Sequence, residues 1–220
     1  SRMWAAADRP DGIAEARYRL GLVHEATGEH APARREIEAA LASYKELEDR
    51  TNIARAALEL SQIALKEGDP GRSLELLVEV SSSLGMLNNP VLIAQAALTR
   101  TRVFAGRGDA AAARAAAEET CAAARRTKAV IPAIHCGLAK SLVGPSEESV
   151  AAALSASTRS FDSGLLILHT EADLSLAEAY QRAGRADQAA SRAKLAQEAA
   201  RKLGLKQIER DAAVLASRSK

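Results

Sequence analysis

Aromatic side chains make up only 3% of this 220-residue chain. A core of stacked rings is therefore excluded, and few platforms are left on which nucleic-acid bases would stack. No apolar run reaches the roughly 18 residues of a membrane span. The two cysteines, Cys121 and Cys136, are too few for a disulfide framework and read as small buried residues of a reduced, cytoplasmic protein. The four histidines, His24, His30, His135 and His169, form no HExxH pair, and no Cys-x-x-Cys accompanies them, so neither a metal nor another cofactor is expected. His135 adjoins Cys136, but neighbours on a helix point about 100° apart, which is poor geometry for a nucleophile and its base. Gly106-Arg107-Gly108-Asp109 lacks the Lys-Ser/Thr of a phosphate loop. A net charge of +2 with pI near 8.6 is far from a concentrated basic face. Neither nucleic acid nor a membrane is an expected partner, and no enzyme is expected.

What the chain has in quantity is alanine and a period. Alanine is the best helix former and lets helices approach closely, whereas strands want β-branched and aromatic runs that are scarce here. Glycines at one point of the pattern fall at 28, 68, 108, 144 and 184, in steps of 40, 40, 36 and 40. Three of these turns read glycine-acid (Gly28-Glu29, Gly68-Asp69, Gly108-Asp109). Glycine supplies a left-handed helix stop there, and the acid favours the next helix's N-terminus. Fifteen residues ahead of the first three glycines stand Ile13-Ala14-x-Ala16, Ile53-Ala54-x-Ala56 and Ile93-Ala94-x-Ala96, marking one shared helix face. The pattern predicts paired helices at about 11–27 and 31–47, 51–67 and 70–85, 90–106 and 110–126, 129–142 and 146–161, 165–183 and 186–203. A terminal helix follows at about 205–218, and a short one stands near Met3–Ala7.

Arg17-x-x-Leu20-Gly21-x-x-His24 before Gly28, then Ala33-x-x-x-Ile37-x-x-Ala40, resembles a tetratricopeptide repeat. Leu176-Ala177-x-x-Tyr180, Gly184 and Ala189-x-x-x-Ala193-x-x-Ala196 in the fifth unit do so too. The third unit departs with Arg100 at the usual leucine position, and the fourth with Gly144-Pro145 and a shorter period. The resemblance implies an all-α, right-handed α-solenoid of about five helix-turn-helix repeats plus a C-terminal helix. The repeats run at about 11–50, 51–89, 90–128, 129–163 and 164–204, in a single domain. Repeats longer than the common 34 residues resemble the sensor and scaffold regions of bacterial signalling proteins. Ser1 in place of an initiator methionine gives the chain the look of part of a larger protein.

In that family the first helices of successive pairs line a concave surface that holds a partner segment. The register implies that Glu15, Tyr18, Leu22 and Glu25 face it in the first unit, and Arg55, Leu58, Gln62 and Lys66 in the second. Gln95, Leu98 and Arg102 do so in the third, Ile134, Leu138 and Ser141 in the fourth, and Leu174, Glu178 and Gln181 in the fifth. Leu58, Leu98, Ile134, Leu138 and Leu174 would form an apolar floor, or else pack between adjacent first helices. Tyr18 and Leu22 stand where the family's carboxylate-clamp variety has Lys and Asn, so that mode of tail recognition is not expected. Charge is uneven: residues 11–50 carry six basic and nine acidic side chains, residues 91–130 seven and three. The reading is a non-catalytic interaction scaffold that binds a protein or peptide segment, with a ligand-sensing effector domain as the alternative.

Overall fold

The structure is a computed structural model and describes residues 10–218. All regular structure among these residues is helical: α1 (Pro10–Thr27), α2 (His30–Glu46), α3 (Arg50–Lys66), α4 (Pro70–Leu87), α5 (Pro90–Gly106), α6 (Ala110–Arg125), α7 (Val130–Val143), α8 (Ser146–Asp162), α9 (Leu166–Arg182), α10 (Ala186–Leu203) and α11 (Lys206–Arg218). The all-α repeat of helical pairs is as expected, with helix ends within about two residues of the sequence boundaries. The short helix expected near Met3–Ala7 lies outside the described residues.

The turns explain the periodicity. Gly28, Gly68, Gly108 and Gly184 all take φ between 73° and 83°, the left-handed stop that a side chain disfavours. Asp69 and Asp109 then cap α4 and α6 by accepting from the backbone N–H of Arg72 and Ala112, and Asp49 caps α3 in the same way. These contacts satisfy N–H groups that a helix start leaves without partners. Gly144 corrects the pattern: its φ of −77° and ψ of 167° are extended, because Pro145 follows and excludes the α region for the residue before it.

By contact the chain divides into two compact units, one ending at Leu92 and one beginning at Ile93. In the first unit, Ala14 and Tyr18 of α1 and Ala33, Ile37, Ala40 and Tyr44 of α2 form a common core with Ala56, Leu60 and Ile63 of α3 and Leu76 of α4. Gly21 sits at the tightest point. A Cβ built there would stand 2.4 Å from Ile37 Cγ1 and 3.2 Å from the Ala33 carbonyl oxygen, so glycine is what admits α2. In the second unit Leu98, Ala117, Ile134, Leu138, Ala139, Ala156 and Ala172 cluster, continued by Val150, Ala153, Leu176 and Ala179. Ala177, Ala193 and Leu215 seat α11. Gly137 repeats the device of Gly21, since its Cβ would lie 2.9 Å from both Ala152 O and Ala156 Cβ of α8.

Two cysteines expected as reduced, separate residues are joined. Cys121 of α6 and Cys136 of α7 form a disulfide with Cα atoms 4.6 Å apart. The helices pack side by side, which brings together residues 15 apart in sequence.

Candidate functional site

In the first unit, the expected surface is a belt of half-buried polar groups over the core. Glu15 of α1 accepts from Arg19 Nε at 2.7 Å and from Tyr44 Oη at 3.1 Å. Arg55 of α3 stands 3.6 Å from the same carboxylate, donates to Asn52 Oδ1 at 2.6 Å, and lies over the Tyr18 ring at 4.6 Å from its centroid. Further along the same two helices, Lys66 Nζ pairs with Glu25. Burial opposes ionisation of Glu15, but the hydrogen bonds from Arg19 and Tyr44 and the charge of Arg55 outweigh it, so this carboxyl titrates below its ordinary value. Tyr44 is pushed up to about 12 by burial and by donating to Glu15. Tyr18 is raised further, first by burial and then by the charge of Glu59. Leu22 and Gln62 are half-buried beside these groups. Each charge pair is partly exposed and contributes little stability, on the order of 1 kcal/mol or less.

The second unit differs. Its expected apolar floor is interior: Leu98 is 4%, Ile134 0% and Leu138 1% exposed, and Leu58 of the first unit is 1% exposed. These side chains pack between helices and do not face a partner. Leu174, Gln95 and Gln181 are half-buried or exposed, with Leu174 packed against the Ala177 cluster. Arg102 of α5 reaches across α7 to pair with Glu171 of α9, and His135 of α7 lies beneath. Burial first, then the nearby Arg102 charge, pulls His135 down to about 4, with only Glu171 opposing. Its Nδ1 is buried without a hydrogen-bond partner. Glu178 of α9 is raised, because burial outweighs the attraction of Arg182 and Arg102. Arg182 itself donates to the Ser141 carbonyl oxygen at 2.6 Å, and the Ser141 and Ser175 hydroxyls meet at 3.1 Å.

A network that the sequence does not announce lies behind this face. Asp173 of α9 is 5% exposed. It accepts from Ser157 Oγ of α8 at 2.5 Å and from Arg192 Nη1 of α10 at 3.3 Å, and His169 Nε2 lies 3.7 Å from it. Serine, histidine and aspartate are thus neighbours, but the hydroxyl bonds the carboxylate and not the imidazole, whose Nδ1 instead faces the Ser157 carbonyl at 3.1 Å. No nucleophile-base relay exists in that order. The arrangement ties three helices together. Cys136, its sulfur held in the disulfide, offers no thiolate to His135. A shallow hollow of about 430 Å³ lies along α4 between Gly71, Leu74, Glu75, Val78 and Glu79. Its carboxylates belong to one helix and pair with Arg72, so nothing converges on a ligand there. Among the described residues no cluster of three metal-ligating side chains occurs, and no helix is long and apolar enough to cross a membrane.

No protein-family profile and no curated protein matches the chain. Solved structures do. A signal transduction ATPase with numerous domains from Pyrococcus horikoshii, which carries a tetratricopeptide repeat sensor, superposes with a TM-score of 0.59 at 14% identity over 94% of this chain. The match spans 32% of that protein's length. A thermophilic tetratricopeptide-repeat protein of Thermus thermophilus superposes with a TM-score of 0.57 at 22% identity, over 92% of this chain and 100% of its own. The fold is tetratricopeptide-repeat-like, as the glycine period implies.

Proposed function

We propose that the chain is a non-catalytic interaction module of a regulatory or signalling protein, and that the α1 and α3 face of the first unit reads a partner segment of mixed charge. The observation that carries this is the pair of cross-helix ion pairs, Glu15 with Arg55 and Glu25 with Lys66. They stand ten or eleven residues apart along each helix, about 15 Å at 1.5 Å per residue. Each holds its charges at the surface with little energy, so a partner's own carboxylates and cations can replace them at small cost and fix register in doing so. Tyr18 and Leu22 supply apolar area beneath. The basic groups Arg55, Lys66 and Arg102 are each neutralised by an acid of another first helix, so a purely acidic partner is not favoured. The fold likeness supports binding over catalysis. The cytoplasmic placement drew on two reduced thiols and on the lack of a membrane-spanning run. The disulfide removes the first ground, no helix among the described residues is long and apolar enough to cross a membrane, and the placement is not part of the proposal.

The alternative of a small-molecule sensor draws on one feature, the unpartnered Nδ1 of His135 beneath the Arg102–Glu171 pair. A capture experiment with the intact chain and an Arg55→Glu/Lys66→Glu variant separates the readings. Partners held by the intact chain, lost by the variant and weakened by salt support the α1/α3 face. Identical capture by both overturns it. No captured protein, together with metabolites that raise the melting temperature of the intact chain but not of His135→Leu, moves the assignment to the sensor.

A further inference from the structure

Adjacent helices of the second unit run antiparallel through short turns, so the turns that join one pair to the next all project from one edge. These are residues 125–130, 161–167 and 201–206. The middle turn carries the three exposed apolar side chains Phe161, Leu166 and Ile167, which are 66%, 57% and 55% exposed. Val130 and Leu203 add smaller exposed apolar area on the turns to either side. The flanking turns are basic: Arg125, Arg126 and Lys128 on one, Arg201, Lys202 and Lys206 on the other, with Asp162 the one acid in all three segments. Helix layers are spaced about 10 Å apart, so the two basic groups stand roughly 20 Å from each other with the apolar tip between them.

Helix electrostatics accounts for only part of this. Cations in the last turn of α6 and α10, Arg125, Arg201 and Lys202, offset the negative end of a helix. Lys128 precedes the start of α7 and Lys206 opens α11, where a cation is disfavoured. Lys206 has a partial local account in Glu209 of its own helix, 3.5 Å away, whereas the turn of Lys128 holds no acid. Leu166 and Ile167 occupy the first turn of α9 and expose their side chains where a polar or acidic residue would serve folding equally well. The opposite edge shows the contrast. Its turns, 106–110, 143–147 and 183–187, mix Arg107 and Arg185 with Asp109, Glu147 and Asp187. Arg185 there bonds Glu147 at 2.5 Å, and none of the exposed large apolar side chains falls among those turns.

We infer that the edge formed by residues 125–130, 161–167 and 201–206 docks on an anionic lipid bilayer surface, with Phe161, Leu166 and Ile167 entering the headgroup boundary and the flanking cations meeting anionic headgroups. The apolar residues cap a projecting turn and do not form the spaced stripe that lies in a protein groove. Cations on both sides of an apolar tip complement a continuous negative surface. This site is independent of the α1/α3 face, and it replaces the expectation of no membrane partner, which rested on the lack of a spanning run and a modest net charge and did not consider a surface edge. The test is co-sedimentation of the full chain with phosphatidylcholine vesicles, alone or containing about 30% phosphatidylserine, at about 0.1 M and about 0.5 M salt. Polyglutamate serves as a soluble polyanion, and melting curves show that each variant is folded. The expected result is binding to the anionic vesicles at least about tenfold tighter than to neutral ones, weakened by salt. Phe161→Ser/Ile167→Ser and Lys128→Glu/Lys202→Glu should each lower it by about tenfold or more. No sedimentation at low salt overturns the inference. Equal binding to polyglutamate, unchanged in Phe161→Ser/Ile167→Ser, also overturns it and makes an acidic protein the occupant.

Discussion

The first unit keeps its charges at the rim and buries the hydroxyls of Ser61 and Ser73, whereas the second also buries a carboxylate and an imidazole among its helices. Glu15, Glu25, Arg55 and Lys66 are all partly exposed over a core that includes Tyr18, Ile37 and Tyr44. The second unit encloses Asp173, His135, Ser157 and Thr101, each at most 8% exposed, and adds a disulfide. The difference follows from what packs. Helix α6 has the sequence AAAARAAAEETCAAAR, and alanine brings helices close while burying little apolar area per residue. Directional contacts and a covalent link then carry a larger share of the cohesion. The same division holds at the turns: segment 46–50 of the first unit reads Glu-Leu-Glu-Asp-Arg, while two of the three matching turns of the second, 125–130 and 201–206, are basic. One repeat register supports two kinds of surface because the register constrains helix faces and leaves the helix ends free.

Substitutions that remove a charge should therefore cost far more in the second unit. Asp173→Ala leaves Arg192 and Ser157 without their acceptor and is expected to lose about 3 kcal/mol, at the low end for a broken buried pair because Arg192 is partly exposed. Glu25→Ala should lose about 1 kcal/mol or less. Urea unfolding of both variants checks the ratio, and equal losses would erase the contrast.

Reduction of Cys121–Cys136 closes no new contact but frees a loop of about 15 residues, for which a loss of about 3 kcal/mol is expected. Melting with and without reductant measures it, and a Cys121→Ala/Cys136→Ala variant should melt alike in both conditions.

Stability should also respond to acid through His135. Its pKa is about 4 in the folded chain against an ordinary 6.5, so between these values the unfolded chain binds more protons. Stability therefore falls as pH drops from about 6.5 to about 4 and levels off below, by about 3 kcal/mol at most. The lowered pKa of Glu15 adds a smaller loss in the acid range, as its carboxylate is protonated. Melting of His135→Leu across this range should lack the larger component. An unchanged acid slope would show that His135 is solvated.

Smaller again is the cost of filling the close approaches. Gly21→Leu and Gly137→Leu should each lose about 1–3 kcal/mol. The first meets the buried Ile37 side chain and the second meets the backbone of α8. An unchanged melting temperature in either would place the helix pair further apart.

Much of the fold was legible because glycine and aspartate sit where backbone geometry requires them. The left-handed glycines and the capping Asp49, Asp69 and Asp109 marked the helix ends. Of the residues expected to face a partner, the charged and amide members are partly exposed and several of the apolar ones are not. Positions such as Glu15, Arg55 and Lys66 lie at the surface, but Leu58, Leu98, Ile134 and Leu138 are interior. Helices buried on several sides, such as α3 and α5, have apolar residues around most of their circumference, so periodicity does not tell the face toward a partner from the face toward a neighbouring helix. The disulfide and the Asp173 network depend on the register between α6 and α7 and between α8, α9 and α10, and no local pattern encodes that. Lys128, Phe161, Leu166 and Lys206 were visible individually, and only the antiparallel packing puts them on one edge.

The central claim, that a partner segment is read by the half-exposed charges of α1 and α3, is tested most directly by carboxyl footprinting of the free and partner-bound chain. The account predicts that labelling of Glu15 and Glu25 falls on binding, while Glu75 on α4 and Glu118 on α6 are labelled as before. Protection of Glu75 or Glu118 with Glu15 and Glu25 unchanged would contradict it.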